Sequence, residues 1–210
     1  MKPLVYVVDD DESMRRALSF LLQTEKYEVR AFASAAAFLA EGPRAQAACV
    51  LSDIRMPEMD GLELQKNLAR RMPALPVIIM TGHGDVPLAV RAMAAGAIDF
   101  LEKPFDNDRL LEAVARALKV GEHRNQDAAL RRQAEQGVER LTPREREVFH
   151  LLAEGEVNKT IAVRLGISPR TVEVHRIRVM EKMKARTVAD LVRAALSLKP
   201  PGDAAGREGT

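Results

Sequence analysis

Four short apolar runs, each closing on a residue able to do chemistry, constrain this 210-residue chain more than any other feature. Residues 4–8 (LVYVV) run into Asp9-Asp10-Asp11-Glu12, and the run that starts at Cys49 ends on Asp53. Residues 77–80 end on Thr81, and residues 97–101 end on Glu102-Lys103-Pro104. Apolar runs of this length bounded by turn residues read as buried strands. In parallel α/β sheets, ligands gather outside the carboxyl ends of the strands. Asp9, Asp10, Asp53, Thr81 and Lys103 are therefore expected along one edge of one sheet. Asp11 and Glu12 read better as caps of the helix that follows.

The segments between the runs carry helical spacing. Met14, Ala17, Leu18, Leu21 and Leu22 recur on one helix face, and residues 28–32 form a further short strand. Ser34 caps the next helix. Residues 61–71 give another, ending before Pro73; residues 86–95 give a third, closing at Gly96; Leu110, Val114 and Leu118 mark the last. Strand followed by helix, five times over, predicts one doubly wound α/β sheet.

The residues at the strand ends share a physical logic. Carboxylates held close repel one another unless a hard cation joins them, which points to Mg²⁺. A magnesium ion held by few carboxylates completes its shell with water and a phosphate oxygen. Lys103 and the Thr81 hydroxyl are suited to the remaining phosphate oxygens. The chemistry implied is phosphoryl transfer to Asp53.

Charge divides the chain. Residues 1–120 carry 15 basic against 17 acidic side chains, net −2, whereas residues 141–199 carry 12 against 7, net +5. A polyanion partner suits the second part only. The single cysteine, Cys49, excludes a disulfide framework within the chain. No apolar stretch long enough to span a bilayer and no signal-peptide pattern is present, so a soluble cytoplasmic protein without membrane contact is expected.

From about residue 120 to residue 140 apolar content falls, and this segment is expected to be a helical or partly helical linker, with disorder near Gly121 and Gly137. Thr142, Pro143 and Glu145 then form a strong helix start. That helix stops at Gly155. Asn158 is expected to cap a second, ended by Gly166, and Ser168-Pro169 opens a third, to about Lys184. The third carries Arg170, Arg176, Arg178, Lys182 and Lys184 around an apolar stripe expected to comprise Val172, Ile177, Met180 and Met183. A fourth helix over 188–198 has apolar positions enough to pack and to pair. Helix, glycine turn and basic helix make a helix-turn-helix. Residues 200–210 read as a disordered tail.

The two halves together resemble a two-component response regulator of the NarL/FixJ family. The receiver half carries the acidic pair Asp9-Asp10, then Asp53, Thr81 and Lys103-Pro104 in the family's order. The second half carries SPRTVEVH at 168–175, NKTIA at 158–162 and KMK at 182–184, and so resembles a LuxR-type DNA-binding domain. The resemblance implies a flavodoxin-like receiver over 1–120 with strand order 2-1-3-4-5 and a cis Lys103-Pro104 bond, a linker over 121–140, and a four-helix DNA-binding domain over 141–199. It implies that a sensor histidine kinase phosphorylates Asp53, with Mg²⁺ held by Asp9, Asp10, Asp53 and the Arg55 carbonyl.

It further implies a switch through Thr81 and Phe100, dimerisation on phosphorylation, and transcriptional activation at promoter DNA with RNA polymerase as a further partner. Phe100 as plain core is compatible with that role. Base-edge contacts map onto Glu173, Val174 and Ile177, with Arg176 nearby; Lys159, Arg170, Thr171, His175, Arg178 and Lys182 map onto DNA phosphates. Glu173 would accept from cytosine. Arg55 and His83, each two residues beyond a site residue, are expected to tune the lifetime of the phosphorylated state. Two rival readings remain open: an aspartate-nucleophile phosphatase, and a constitutive DNA-binding regulator with a structural receiver.

Overall fold

The computed structural model describes residues 2–43, 48–82 and 86–199. Among these the element order is β1 (Leu4–Val8), α1 (Glu12–Thr24), β2 (Glu28–Phe32), α2 (Ala35–Glu41), β3 (Ala48–Asp53), α3 (Gly61–Arg71), β4 (Val77–Thr81), α4 (Val86–Ala94), β5 (Asp99–Glu102) and α5 (Asn107–Glu139). After these come α6 (Pro143–Ala153), α7 (Asn158–Leu165), α8 (Pro169–Lys182) and α9 (Val188–Leu198). The chain forms two compact units that divide between Asn125 and Gln126.

In the first unit the strands pair in parallel in the order β2-β1-β3-β4-β5, as the resemblance implied. Strand alternation sends successive side chains to opposite faces. Tyr6 and Val8 join Val50, Ile79, Phe38, Leu64 and Leu68 in one core. Val5 and Val7 join Leu51, Ile78, Leu18, Leu22, Leu110 and Val114 in the other. The sheet is thus covered on both sides, by α2 to α4 on one and by α1 and α5 on the other. With both faces buried, β1, β3 and β4 are near-continuous apolar runs.

Register sets the site. Val8 lies opposite Ser52, Asp53 opposite Met80, and Thr81 opposite Glu102. The chain therefore leaves β1, β3, β4 and β5 at one level, and the residues closing each run meet.

The second unit closes a separate core around Phe149, Val148, Ile161, Val172, Val179 and Leu191. Its helix starts are chemically explicit. Thr142 and Glu145 exchange side-chain and backbone hydrogen bonds in a capping box before α6, with Pro143 at its first position. Ser168 caps α8 ahead of Pro169, and Thr187 and Asp190 form a second capping box before α9.

Four expectations need correction. α5 continues unbroken through the segment expected to be a helical or partly helical linker, so the helix expected there is present and the disorder expected near its glycines is not. Gly121 and Gly137 do not interrupt it; a Cβ at Gly121 would meet Pro76 Cδ at 3.0 Å, and one at Gly137 would meet Met183 Cα at 3.3 Å. Glycine costs a helix about 1 kcal/mol relative to alanine, and here it lets the helix pack closely. β5 begins at Asp99, with Ala97 and Ile98 in the approach to it. Val157, not Asn158, is the cap residue of α7, and it supplies no side-chain hydrogen bond. Ile177 is 62 % exposed and leaves the apolar stripe of α8, where Val179 is fully buried in its place. His83 and the tail over 200–210 lie outside the described residues.

Candidate functional site

Asp9, Asp53, Thr81 and Lys103 converge at the carboxyl edge of the sheet. Asp9 is 1 % exposed, and Asp53 and Thr81 are also buried. Lys103 Nζ donates to Asp9 Oδ2 at 2.8 Å and to Asp53 Oδ1. One ammonium thus bridges two buried carboxylates that start 44 residues apart in sequence, on β1's exit and on β3. The Lys103-Pro104 peptide is cis. Lys103 is placed by its own backbone, whose N–H donates to the Thr81 carbonyl at 2.7 Å.

The loops hold the carboxylates from behind. Asp9 Oδ1 accepts from the Asp11 N–H at 2.9 Å, and Asp53 Oδ2 accepts from the Arg55 N–H at 2.7 Å. Asp11 caps α1 by accepting from the N–H groups of Ser13 and Met14, the role expected of it. Asp10 stays exposed at the mouth. Arg15 on α1, which no local pattern singles out, donates from Nη1 to the carbonyls of Asp9 at 2.8 Å and Asp10 at 2.9 Å. Its signal is purely three-dimensional. Behind Asp53, the Ile54 N–H donates to Met80 O at 2.8 Å, and the Gly61 N–H donates to Ile54 O at 3.0 Å.

The electrostatics follow from burial. Desolvation pushes the Asp53 carboxyl up, and the Lys103 ammonium draws it down without cancelling that. Burial also works against the Lys103 ammonium, but its hydrogen bonds to Asp53 and Asp9 outweigh the burial and hold its pKa above the ordinary lysine value. Two carboxylates share one ammonium, so the cluster keeps a net negative charge, and its uncommitted lone pairs belong to oxygen. Such a donor set suits a hard divalent cation with few protein ligands. No group of three or more His, Cys, Asp or Glu side chains among the described residues could hold a metal unaided. Phe100 on β5 is 40 % exposed and stands at the surface, outside both cores.

In the second unit, Lys159, Arg170, Thr171, Glu173, Val174, Ile177 and Arg178 are exposed, and His175 and Arg176 are half-buried. Thr171 is engaged locally, its N–H donating to Ser168 Oγ at 3.1 Å and the two hydroxyls lying 2.8 Å apart. His175 Nδ1 is enclosed with no hydrogen-bond partner among the described residues. Lys182 has an internal partner: its Nζ donates at 2.6 Å to Oε2 of Glu145, a residue 1 % exposed. That ion pair joins α8 to α6 across 37 positions of sequence, beyond the reach of any local pattern.

The family model for response regulator receiver domains matches residues 5–115, and that for bacterial regulatory proteins of the luxR family matches residues 139–195. The chain is a response regulator. It pairs a receiver domain with a LuxR-type DNA-binding domain, as FixJ-like transcription regulators of two-component systems do. The transcriptional regulatory protein FixJ of Bradyrhizobium diazoefficiens is 47 % identical over 192 residues, covering 91 % of this chain and 94 % of the relative. The solved response regulator StyR is 43 % identical with a TM-score of 0.76, covering 93 % of this chain and 99 % of that one. Full-length FixJ from B. japonicum is 46 % identical with a TM-score of 0.57, covering 94 % of this chain and 98 % of that one. No helix of this response regulator, among the described residues, is long and apolar enough to cross a membrane.

Proposed function

We propose that this response regulator accepts a phosphoryl group on Asp53 from the phosphohistidine of a sensor kinase and thereby changes its hold on promoter DNA. The observation that carries the reading is the Lys103 ammonium bridging Asp9 and Asp53 at the edge of the sheet. An Asp53 carboxylate oxygen forms the new bond to phosphorus as the phosphorus–nitrogen bond of the donor breaks, and the electron pair returns to the imidazole. Lys103, already within reach, meets the charge gathering on a phosphoryl oxygen. The buried Thr81 hydroxyl, which donates to Gly82 O at 3.3 Å, would turn to bond a second phosphoryl oxygen.

Asp9, Asp10, Asp53 and the Arg55 carbonyl would hold Mg²⁺, which when bound supplies positive charge to the phosphoryl oxygens. Arg15 keeps the acidic loop in position through its two carbonyls. Thr81 and Phe100 form the switch: Phe100 stands at the surface outside both cores, and an aromatic with an inward alternative gives the bistable element such a signal needs. Phosphorylation pairs two copies, and the paired second units engage half-sites about one helical turn apart to activate transcription with RNA polymerase. The net +5 charge of residues 141–199 supports the DNA reading.

The test is promoter affinity of the full chain with and without acetyl phosphate and Mg²⁺, alongside analytical ultracentrifugation. Tighter binding and doubled mass on phosphorylation of the wild type, both absent from Asp53→Asn, are expected. Unchanged affinity in both proteins would favour a constitutive regulator with a structural receiver.

A further inference from the structure

Gln65 interrupts an otherwise apolar row. α3 turns Gly61, Leu62, Leu64, Gln65 and Leu68 inward, and Gln65 is 2 % exposed. An amide taken out of water is costly unless each of its polar groups finds a partner. Gln65 Nε2 donates to the Ala92 carbonyl on α4 at 2.9 Å, whereas Oε1 is enclosed with no hydrogen-bond partner among the described residues. Turning the amide over would set its oxygen against the Ala92 carbonyl, so its orientation is fixed. The bond it makes is also redundant. Ala92 O accepts from the Ala95 N–H at 3.1 Å and from the Ala97 N–H at 3.0 Å, and a carbonyl has two lone pairs. Gln65 therefore strands an acceptor in the core and supplies a donor that its partner does not need.

The position of this amide couples two helices. α3 follows the loop after Asp53, and α4 follows β4, which ends on Thr81. Gln65 joins them beside the core that Leu64, Leu68 and Ala92 share. A cavity of 180 Å³ adjoins it at the C-terminal end of α4, lined also by Ala69, Leu75, Val77, Ala95 and Gly96. Such a space admits several waters, each taking about 30 Å³. Movement of α4 away from α3 would open Oε1 to that space and let water bond it. The interface thus has two arrangements: the one seen here, which leaves Oε1 unbonded, and a displaced one, which hydrates it.

We infer that Gln65 is a positioning residue for the phosphorylation signal: its stranded Oε1 penalises the arrangement seen here and so narrows the free-energy gap to a displaced α4. The inference rests on the reading of phosphorylation and pairing above. A phosphoryl group shifts an equilibrium only by its differential interaction with the two states. With a narrower gap, the same group on Asp53 populates the displaced arrangement further. An apolar side chain at position 65 widens the gap and blunts the response.

The test replaces the amide in the full chain by Gln65→Met, unbranched and of similar volume, with Gln65→Leu as a second variant. Amide hydrogen exchange over residues 88–97 of the unphosphorylated chain reports local opening of α4. Both variants are expected to slow it about fivefold, the equivalent of about 1 kcal/mol for the stranded acceptor, while α1 exchanges at the wild-type rate. After incubation with acetyl phosphate and Mg²⁺, each is expected to carry one phosphoryl group by intact mass and to dimerise about fivefold more weakly than the phosphorylated wild type. A merely structural amide predicts the reverse in both variants, faster exchange and a lower urea midpoint, and that result would overturn the inference. Unchanged exchange would overturn it too, as would slowed exchange with wild-type dimerisation. A wild-type chain that takes no phosphoryl group, or takes one and stays monomeric, would overturn the underlying reading and with it the role inferred for Gln65.

Discussion

Lys103 Nζ lies 2.8 Å from Asp9 Oδ2, and the same ammonium also bonds Asp53, so one lysine at the exit of β5 is the counterion for carboxylates at the exits of β1 and β3. Removing it leaves two buried acids facing each other, Asp9 at 1 % exposure. Lys103→Ala is therefore expected to destabilise the metal-free chain by about 3 kcal/mol, the usual cost of stranding one partner of a buried pair. Added Mg²⁺ should restore more stability to the variant than to the wild type. Urea unfolding with and without Mg²⁺ measures both effects; equal gains in the two proteins would contradict the shared-charge account.

Gly61 opens α3 immediately behind the loop that follows Asp53. A Cβ there would stand 3.0 Å from Ile54 Cα and nearer still to the Asp53 carbonyl oxygen, both backbone atoms that cannot swing aside. Gly61→Ala is expected to cost about 1–3 kcal/mol and to slow phosphorylation, because the loop can relieve the overlap only by moving Asp53. Gly42 is the control for backbone cost alone: its left-handed conformation (φ +71°) makes alanine costly there too, but an added Cβ meets nothing within 4 Å among the described residues, so its alanine variant should lose stability yet phosphorylate at the wild-type rate.

The Lys182 ammonium holds the Glu145 carboxyl down at about 2 against the opposing effect of burial, with the Thr142 N–H and hydroxyl helping. Because the folded value lies below the unfolded 4.5, the stability this carboxylate contributes is present above pH 4.5 and is lost as pH falls toward 2. Glu145→Gln should cost about 1.5–3 kcal/mol at neutral pH, the worth of a hydrogen bond to a charged group. It should also flatten the acid limb of the stability curve. Urea unfolding at pH 7 and at about pH 3 gives the comparison, and a variant retaining the full acid limb would show that another carboxylate carries it.

Arg178 is exposed on α8, and the family resemblance maps it onto a DNA phosphate. Arg178→Ala should weaken binding to all duplexes alike and lower the slope of log affinity against log salt by about 1. Ile177→Ala should leave that slope unchanged. Titrations at several salt concentrations separate the two residues.

Much of the first unit was legible because each strand that reaches the candidate site is an apolar run with a polar residue at or just past its end: Asp9, Asp53, Thr81 and Lys103 could be placed at one edge from the run ends alone. Arg15, by contrast, reaches back to the carbonyls of Asp9 and Asp10 only once α1 has folded. Gly121 and Gly137 read as breaks in sequence; what decides their role is the nearness of Pro76 and Met183, which no local pattern carries. Ile177 read as core because it is apolar, although the helical period that buries Val172 and Val179 turns it outward. Lys182 read as one more cation on a basic helix, and the acid that holds it, Glu145, looked like an ordinary first-turn glutamate.

The most direct measurement is the intact mass of the full chain and of Asp53→Asn after incubation with acetyl phosphate and Mg²⁺. A single phosphoryl adduct on the wild type, lost on prolonged incubation after the donor is removed and absent from Asp53→Asn, is the expected result. An adduct of the same size on both proteins, or on neither, would contradict the assignment of Asp53 as the phosphoacceptor.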